Sequence, residues 1–234
     1  MTGPGPLIAS GRDSDIFAYG DGLVLRRSRS HRSMAAEAKV MEYVRAQGYP
    51  VPAVDHLNDD GTDLVMERIE GPSMAESLGR RPWTLGDNGT VLGDLHRRLH
   101  QIPAPDWVAD GPGSTAGGCL LHLDLHPLNV ILGPSGPVVI DWTNAKRGPA
   151  AVDLALTWVL ILAGEIPGNR LKAALMGRAR GLFVSGFLRG FDLGPVRAAL
   201  RDVVEWKVTD PHMSALEQRR MWAVVEREQA RASA

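Results

Sequence analysis

His122-Leu123-Asp124-Leu125-His126-Pro127-Leu128-Asn129, followed past a Gly133-Pro134-Ser135-Gly136 turn by Val138-Val139-Ile140-Asp141-Trp142, is the stretch on which the reading of this chain turns. Asp124 and Asn129 stand five positions apart, and Asp141 comes twelve positions after Asn129, at the end of an apolar run. Metal-dependent phosphoryl transfer calls for such a set. One carboxylate receives a hydroxyl proton, while an amide oxygen and a second carboxylate hold a divalent ion against nucleotide phosphates. The apolar runs Leu120-Leu121 and Val130-Ile131-Leu132 predict strands on either side of the loop, and that context is what makes the spacing informative. His122, Asp124 and His126 at alternate positions also admit a transition-metal reading, although no further His or Cys set stands at matching spacing.

Upstream, Leu7-Ile8-Ala9-Ser10, Ile16-Phe17-Ala18-Tyr19 and Leu23-Val24-Leu25-Arg26 predict three strands, with Gly20-Asp21-Gly22 as a hairpin turn between the last two. Ser33 can cap a helix whose apolar positions Met34, Ala38, Met41 and Val44 recur at helical spacing. Gly48-Tyr49-Pro50-Val51-Pro52 ends it, because proline biases its neighbour toward extended backbone. Ala53 to Leu57 and Leu64 to Glu67 add two strands. Residues 1–68 therefore predict a five-stranded antiparallel sheet with one helix, and 69–234 a larger, mainly helical part: an α+β chain in two domains. Downstream, Val91, Leu92, Leu95 and Leu99 mark a helix from about Gly86 to Gln101, and about four helices follow Ala150. The last of them begins at a capping box, Ser214-Ala215-Leu216-Glu217.

Composition narrows the function classes. The 234 residues carry a formal net charge of −1, which offers no electrostatic case for nucleic acid or a membrane surface. The longest apolar run, Leu154 to Gly164, is too short to span a bilayer and predicts a buried helix. Met1 to Ser10 lacks signal-peptide character, and a single cysteine, Cys119, fits a reducing cytoplasm and makes a poor nucleophile in its Gly-rich surroundings. The tryptophans at 83, 107, 142, 158, 206 and 222 are expected mostly as core anchors or lobe contacts; Trp142, next to Asp141, could instead line an acceptor pocket.

His122, Asp124 and Asn129 stand at the spacing of the protein kinase catalytic loop H-R-D-L-x-x-x-N, with Leu123 in place of Arg. Together with Ile140-Asp141-Trp142, Val152-Asp153-Leu154-Ala155, the helix Leu95-His96-Arg97-Arg98-Leu99-His100 and Tyr49-Pro50-Val51-Pro52, the chain resembles the aminoglycoside phosphotransferase and choline kinase-like family over nearly its whole length. The resemblance implies a bilobal protein kinase-like fold, ATP and Mg²⁺ as cofactors, and transfer of the γ-phosphoryl group to a hydroxyl of a small molecule, an antibiotic or a metabolite. It implies Asp124 as catalytic base and Asn129 and Asp141 as metal ligands. Arg26 would meet the α- and β-phosphates, with Glu37 orienting it, and backbone groups of Glu67 and Ile69 would hold adenine. His122 and Asp153 would brace the loop. Ser10 opens the turn Ser10-Gly11-Arg12-Asp13-Ser14-Asp15 over the phosphates, whose single Gly and two acids set carboxylate charge against the backbone amides.

The chain departs from that family where Arg26 replaces Lys and Leu123 replaces Gly, and a planar fork does not substitute for a compact ammonium. Arg26 and Glu37 could also be a plain surface ion pair. His96 and His100, four apart, invite a zinc reading that Arg97 denies by standing where a metalloprotease helix needs Glu; both are expected as partly buried helix-face residues. Residues 143–234 hold 14 Lys+Arg against 9 Asp+Glu, so the region expected to receive the acceptor is net basic. That balance favours an acceptor less cationic than an aminoglycoside, although Glu165, Asp202, Glu205 and Asp210 could form a local acidic pocket. A protein-hydroxyl kinase and a nucleotide-binding pseudokinase without turnover are the alternatives.

Overall fold

The computed structural model describes residues 3–11, 13–114, 118–164, 170–210 and 213–232. In chain order the elements are β1 (Leu7–Ser10), β2 (Ser14–Tyr19), β3 (Leu23–Ser28), α1 (Ala35–Ala46), β4 (Val54–Leu57), β5 (Asp63–Glu67), α2 (Met74–Arg80), α3 (Leu85–Leu99), β6 (Cys119–Leu121), β7 (Val130–Gly133), β8 (Gly136–Val139) and β9 (Lys146–Gly148). Four helices complete the described residues: α4 (Ala150–Ala163), α5 (Arg170–Phe187), α6 (Leu193–Lys207) and α7 (Ala215–Ala232). They gather into two compact units, Met1–Ser73 with Asn129–Ala145, and Met74–Leu128 with Lys146–Ala234.

In the first unit the five strands form an antiparallel sheet in the order β1-β2-β3-β5-β4, with α1 inserted after the third strand, as the apolar pattern predicts. The hairpin from Tyr19 to Leu23 turns on Gly20 and Gly22, both at positive φ, where a side chain would be strained. Met34, Ala38, Met41 and Val44 are all buried, so helical spacing alone identified the inner face of α1 and its lead-in. Ser33 stands one residue ahead of the N-cap, Met34, and its hydroxyl accepts from the Ala35 N–H at 3.3 Å. Gly48, at φ 77°, reverses the chain where the helix ends.

The β7–β8 hairpin belongs to this unit although it lies sixty residues downstream of β5. Leu132 N–H donates to Pro72 O at 2.9 Å and Val139 N–H to Pro50 O at 2.8 Å, so the unit closes on residues well past the break expected near 68. Trp142 packs here, fully buried and edge-on to Tyr49 with ring centroids 5.6 Å apart, and its indole N–H donates to Val139 O. It is a core residue and not a pocket wall. Trp158 is also buried, whereas Trp83 and Trp107 are exposed, against the expectation that the tryptophans are mostly core anchors or lobe contacts.

In the second unit α4 carries an unbroken buried run from Val152 to Val159, and no helix among the described residues is long and apolar enough to cross a membrane. The capping box at α7 forms as its sequence predicts: Ser214 N–H donates to Glu217 Oε2 at 2.8 Å and Glu217 N–H to Ser214 Oγ at 3.2 Å. Strand β9, helix α2 and the partner of β6 left no local signal; β6 pairs antiparallel with β9, Cys119 opposite Gly148.

The α3–α5 crossing depends on glycine. A Cβ at Gly89 would stand 2.2 Å from Phe183 O, one at Gly93 2.5 Å from Phe187 O, and one at Gly186 2.4 Å from Gly86 O. Those neighbours are backbone atoms and cannot swing aside, so the two helices approach backbone to backbone. Gly89→Ala is expected to lower stability by about 1–3 kcal/mol by forcing the helices apart, outweighing the helix propensity gained. Urea denaturation of the variant checks this; an unchanged or raised midpoint would contradict it.

Candidate active site

A fully buried carboxylate governs the backbone before Asp124. Asp153, in the first turn of α4, accepts from the Leu123 N–H at 2.8 Å and the His122 N–H at 3.2 Å, and its Oδ2 lies 3.0 Å from His100 Nε2. Burial alone would raise its pKa. The His100 hydrogen bond and the positive potential of His96, His100 and His122 reverse that and hold it well below the usual carboxylate range. Leu123 is thereby kept at φ 57°, a left-handed conformation that costs a residue with a side chain about 1–2 kcal/mol. Gly, the family's usual residue there, would adopt it without strain, so Asp153 and burial of the Leu123 side chain compensate here.

Behind the loop, His96 is completely buried, further in than a partly buried helix-face residue. Its Nδ1 lies 2.9 Å from Leu92 O and its Nε2 3.1 Å from Thr157 Oγ1, which in turn donates to Leu125 O at 2.9 Å. Both ring nitrogens are thus engaged by this chain, and His100 is engaged by Asp153, which closes the zinc reading of the pair. A neutral imidazole and one hydroxyl supply two protons to these three contacts. Burial, the largest influence, nevertheless pushes His96 down to about 4. The loop's other side is charged: Asp124 Oδ1 lies 3.8 Å from His126 Nε2 and 3.9 Å from Lys207 Nζ, on α6. Lys207 had no sequence signal, being eighty-three residues from Asp124. Cys119 is a half-buried thiol pushed up to about 11, mainly by desolvation, which disfavours the reactive thiolate.

In the first unit the structure brings together three of the residues singled out in sequence. Arg26, on β3, donates from Nη1 to Glu37 Oε1 at 2.5 Å, from Nη2 to Asp141 Oδ1 at 3.1 Å and Thr143 Oγ1 at 3.2 Å, and from Nε to Ser14 Oγ at 2.9 Å. Arg26 and Glu37 are both buried, so they are no surface ion pair. Burial pushes the guanidinium pKa down, but Glu37 and Asp141 more than offset it and the net direction is upward. Thr143 was not anticipated. Its single hydroxyl proton faces two carboxylate oxygens, Glu37 Oε2 at 2.9 Å and Asp141 Oδ1 at 3.0 Å.

Asp141 sits past the end of β8 at φ 65°, a conformation an acidic residue tolerates better than most. The β7–β8 ladder pairs Val130 with Val139, and Ile140 N–H donates to Asn129 O at 3.0 Å, so Asn129 and Asp141 are set side by side at the open end of that hairpin. The side chains of Asn129 and Asp141 can offer oxygen donors. That donor set fits a hard divalent ion that completes its shell with water and phosphate oxygens.

The remaining residues fall elsewhere in the first unit. Ser10 is exposed at the end of β1 and donates to Asp15 Oδ1 at 2.5 Å; Arg29 donates to both. Chiefly through the Arg29 hydrogen bond, Asp15 is lowered to about 2. The acidic turn is therefore charge-compensated on this side, and Arg12 lies outside the described residues. At Glu67 the N–H donates to Ala53 O at 2.8 Å while its carboxylate accepts from the Ala53 N–H at 3.0 Å. The Ile69 N–H enters no hydrogen bond among the described residues, so it is available to a ligand.

Comparison with known proteins gives this arrangement a family. The profile of the phosphotransferase enzyme family APH matches residues 5–116 and 106–201, and the chain belongs to that family. Its fold is protein kinase-like. The chain is similar to an aminoglycoside phosphotransferase, APH(4)-Ia, solved with ADP and hygromycin B, at 13% identity and a TM-score of 0.63 over 94% of this chain and 92% of that one. A choline/ethanolamine kinase family protein from Mesorhizobium loti is similar at 15% identity and a TM-score of 0.61, over 97% and 87%. The EKC/KEOPS complex subunit BUD32 of Chaetomium globosum is 28% identical over 120 residues, half of this chain; the chain spans 44% of that relative.

Two outcomes follow from the buried groups. Arg26→Ala leaves Glu37 buried and uncompensated, so stability is expected to fall by about 3–5 kcal/mol, with Arg26→Lys between the two; equal denaturation midpoints for all three proteins would contradict this. Because the folded-state pKa of His96 lies below its unfolded value, the unfolded chain takes up that proton first. Stability should therefore fall as pH drops from 6.5 toward 4, by about 1.4 kcal/mol per pH unit from this residue. His96→Gln should flatten that slope in thermal melts, and an unflattened slope would assign it to other groups.

Proposed function

We propose that this chain is an ATP- and Mg²⁺-dependent O-phosphotransferase that moves a γ-phosphoryl group to a hydroxyl of a small molecule. The observation that carries the reading is that a member of the phosphotransferase family retains Asp124, Asn129 and Asp141 together, at the spacing the reaction requires. Asp124 takes the acceptor hydroxyl's proton as the new oxygen–phosphorus bond forms and the bond to the departing ADP breaks. Its part is mainly orientation, with the proton accepted late. Asn129 and Asp141 would hold Mg²⁺, which when bound supplies charge neutralisation of the phosphates. Glu67 and Ile69 would receive the adenine through backbone groups, and Ser10 would border the phosphates.

Arg26 has a different standing from the lysine of the family. With four of its five N–H groups on acceptors of its own chain, its first task is to hold Glu37 and Asp141 in place, and a single Nη1–H is left over for a phosphate. That observation favours, as a second reading, a nucleotide-binding protein without turnover.

Asp124→Asn should abolish phosphoryl transfer, by roughly a thousandfold or more, while ADP affinity stays within about twofold. Asp141→Ala should remove the Mg²⁺ dependence of ADP binding measured by calorimetry. ADP binding with no transfer by the unmodified protein to any of a broad panel of hydroxyl compounds, read by product mass, would establish the second reading instead.

A further inference from the structure

Lys207 is the last residue of α6, and its ammonium stands beside the carboxylate proposed as catalytic base. Nζ lies 3.9 Å from Asp124 Oδ1 and 3.4 Å from Asp210 Oδ2, with the side chain 11% exposed. A charge-assisted N–H···O bond closes to roughly 2.7–2.9 Å, so neither carboxylate holds this ammonium tightly. Among the described residues its three N–H groups meet one long hydrogen bond, which leaves donor capacity in the surroundings of Asp124.

Geometry then constrains what binds. A hydroxyl that passes its proton to Asp124 must come within about 3 Å of the carboxylate. Substituents one to three bonds from the reacting oxygen consequently fall within reach of Lys207. His126 Nε2, 3.8 Å from the same Asp124 oxygen, adds a second nitrogen to that neighbourhood. A cationic substituent would meet the ammonium at short range, while an anionic one would gain a partly desolvated cation.

Of the acids that could have received a polycation, two are engaged by cations of this chain. Asp210 is on Lys207, and Glu205 is on Arg201 at 3.2 Å. Asp202 is exposed on α6, and Glu165 lies outside the described residues. These engagements agree with the excess of basic residues over 143–234.

We propose that Lys207 reads the acceptor, and that the acceptor is a hydroxyl compound bearing an anionic group, a carboxylate or a phosphate, a few bonds from the hydroxyl that is phosphorylated. This rests on the phosphotransferase reading above. Lys207 binds the anion while Asp124 takes the hydroxyl proton, so its loss weakens acceptor binding and leaves nucleotide binding alone.

The test is calorimetry on the full chain, first with ADP and Mg²⁺, then on the ADP-saturated protein with glycerate, glycerol 3-phosphate, glycerol and kanamycin. Glycerate or glycerol 3-phosphate is expected to bind at least tenfold more tightly than glycerol or kanamycin, and which of the two binds better separates carboxylate from phosphate recognition. Lys207→Met should weaken that anion about tenfold, Lys207→Arg less, and both should keep the ADP affinity of the unmodified protein, which also shows that they fold. Anions binding no better than glycerol, kanamycin binding best, or an anion affinity indifferent to Lys207→Met overturns this proposal alone. Failure of ADP to bind overturns the phosphotransferase reading and this proposal with it.

Discussion

One buried carboxylate sets the geometry on which the loop around Asp124 depends. Asp153 has no exposed surface, and an ionised carboxylate in that position is tolerated only because donors converge on it. Two of them are the backbone N–H groups of His122 and Leu123, and a third partner is the His100 ring. Its place in the first turn of α4 adds the favourable potential of a helix N-terminus. The consequence travels along the chain: Leu123 is kept in a left-handed conformation, and the backbone entering Asp124 is set by an acid thirty residues further on.

The first unit solves the mirror-image problem with a buried cation. Arg26 is surrounded by Glu37, Asp141, Thr143 and Ser14, and its planar fork satisfies acceptors on separate segments at once. An ammonium could not span them from one position, because it is a compact charge without a fixed fork. Arg26 thereby ties β3, α1 and the segment after β8 together. Asp141 meets Arg26 through Oδ1, so a metal ion held there, as proposed, would share that carboxylate with the guanidinium.

Charge around Asp124 carries the other functional message. Arg26 acts in the unit that holds Asn129 and Asp141, whereas the cation near Asp124 is Lys207, from a helix far along the chain. A phosphotransferase distinguishes acceptors by what surrounds the reacting hydroxyl, and around Asp124, the proposed base, stand an ammonium and an imidazole. Membership in the family defines the reaction class; the residues bordering Asp124 bear on the acceptor.

Much of this was written locally in the chain. The apolar spacing of α1, the Gly20–Gly22 hairpin, the capping box at Ser214 and the five-strand pattern are interactions between residues close in sequence, so periodicity and turn chemistry revealed them. Asp124, Asn129 and Asp141 could be picked out as candidates for the same reason, since they lie within twenty residues of one another in sequence. What only the tertiary structure decided lies across long separations. Gly89 and Gly186 matter because two helix backbones touch, Trp142 is core because Tyr49 packs on it, and His96 is buried because α4 brings Thr157 to it. Thr143 and Lys207 come beside Glu37 and Asp124 only when the chain folds. Short-range patterns report on backbone propensity and amphipathic faces, whereas the partner of a charge or a close contact is fixed by packing, which no window of sequence contains.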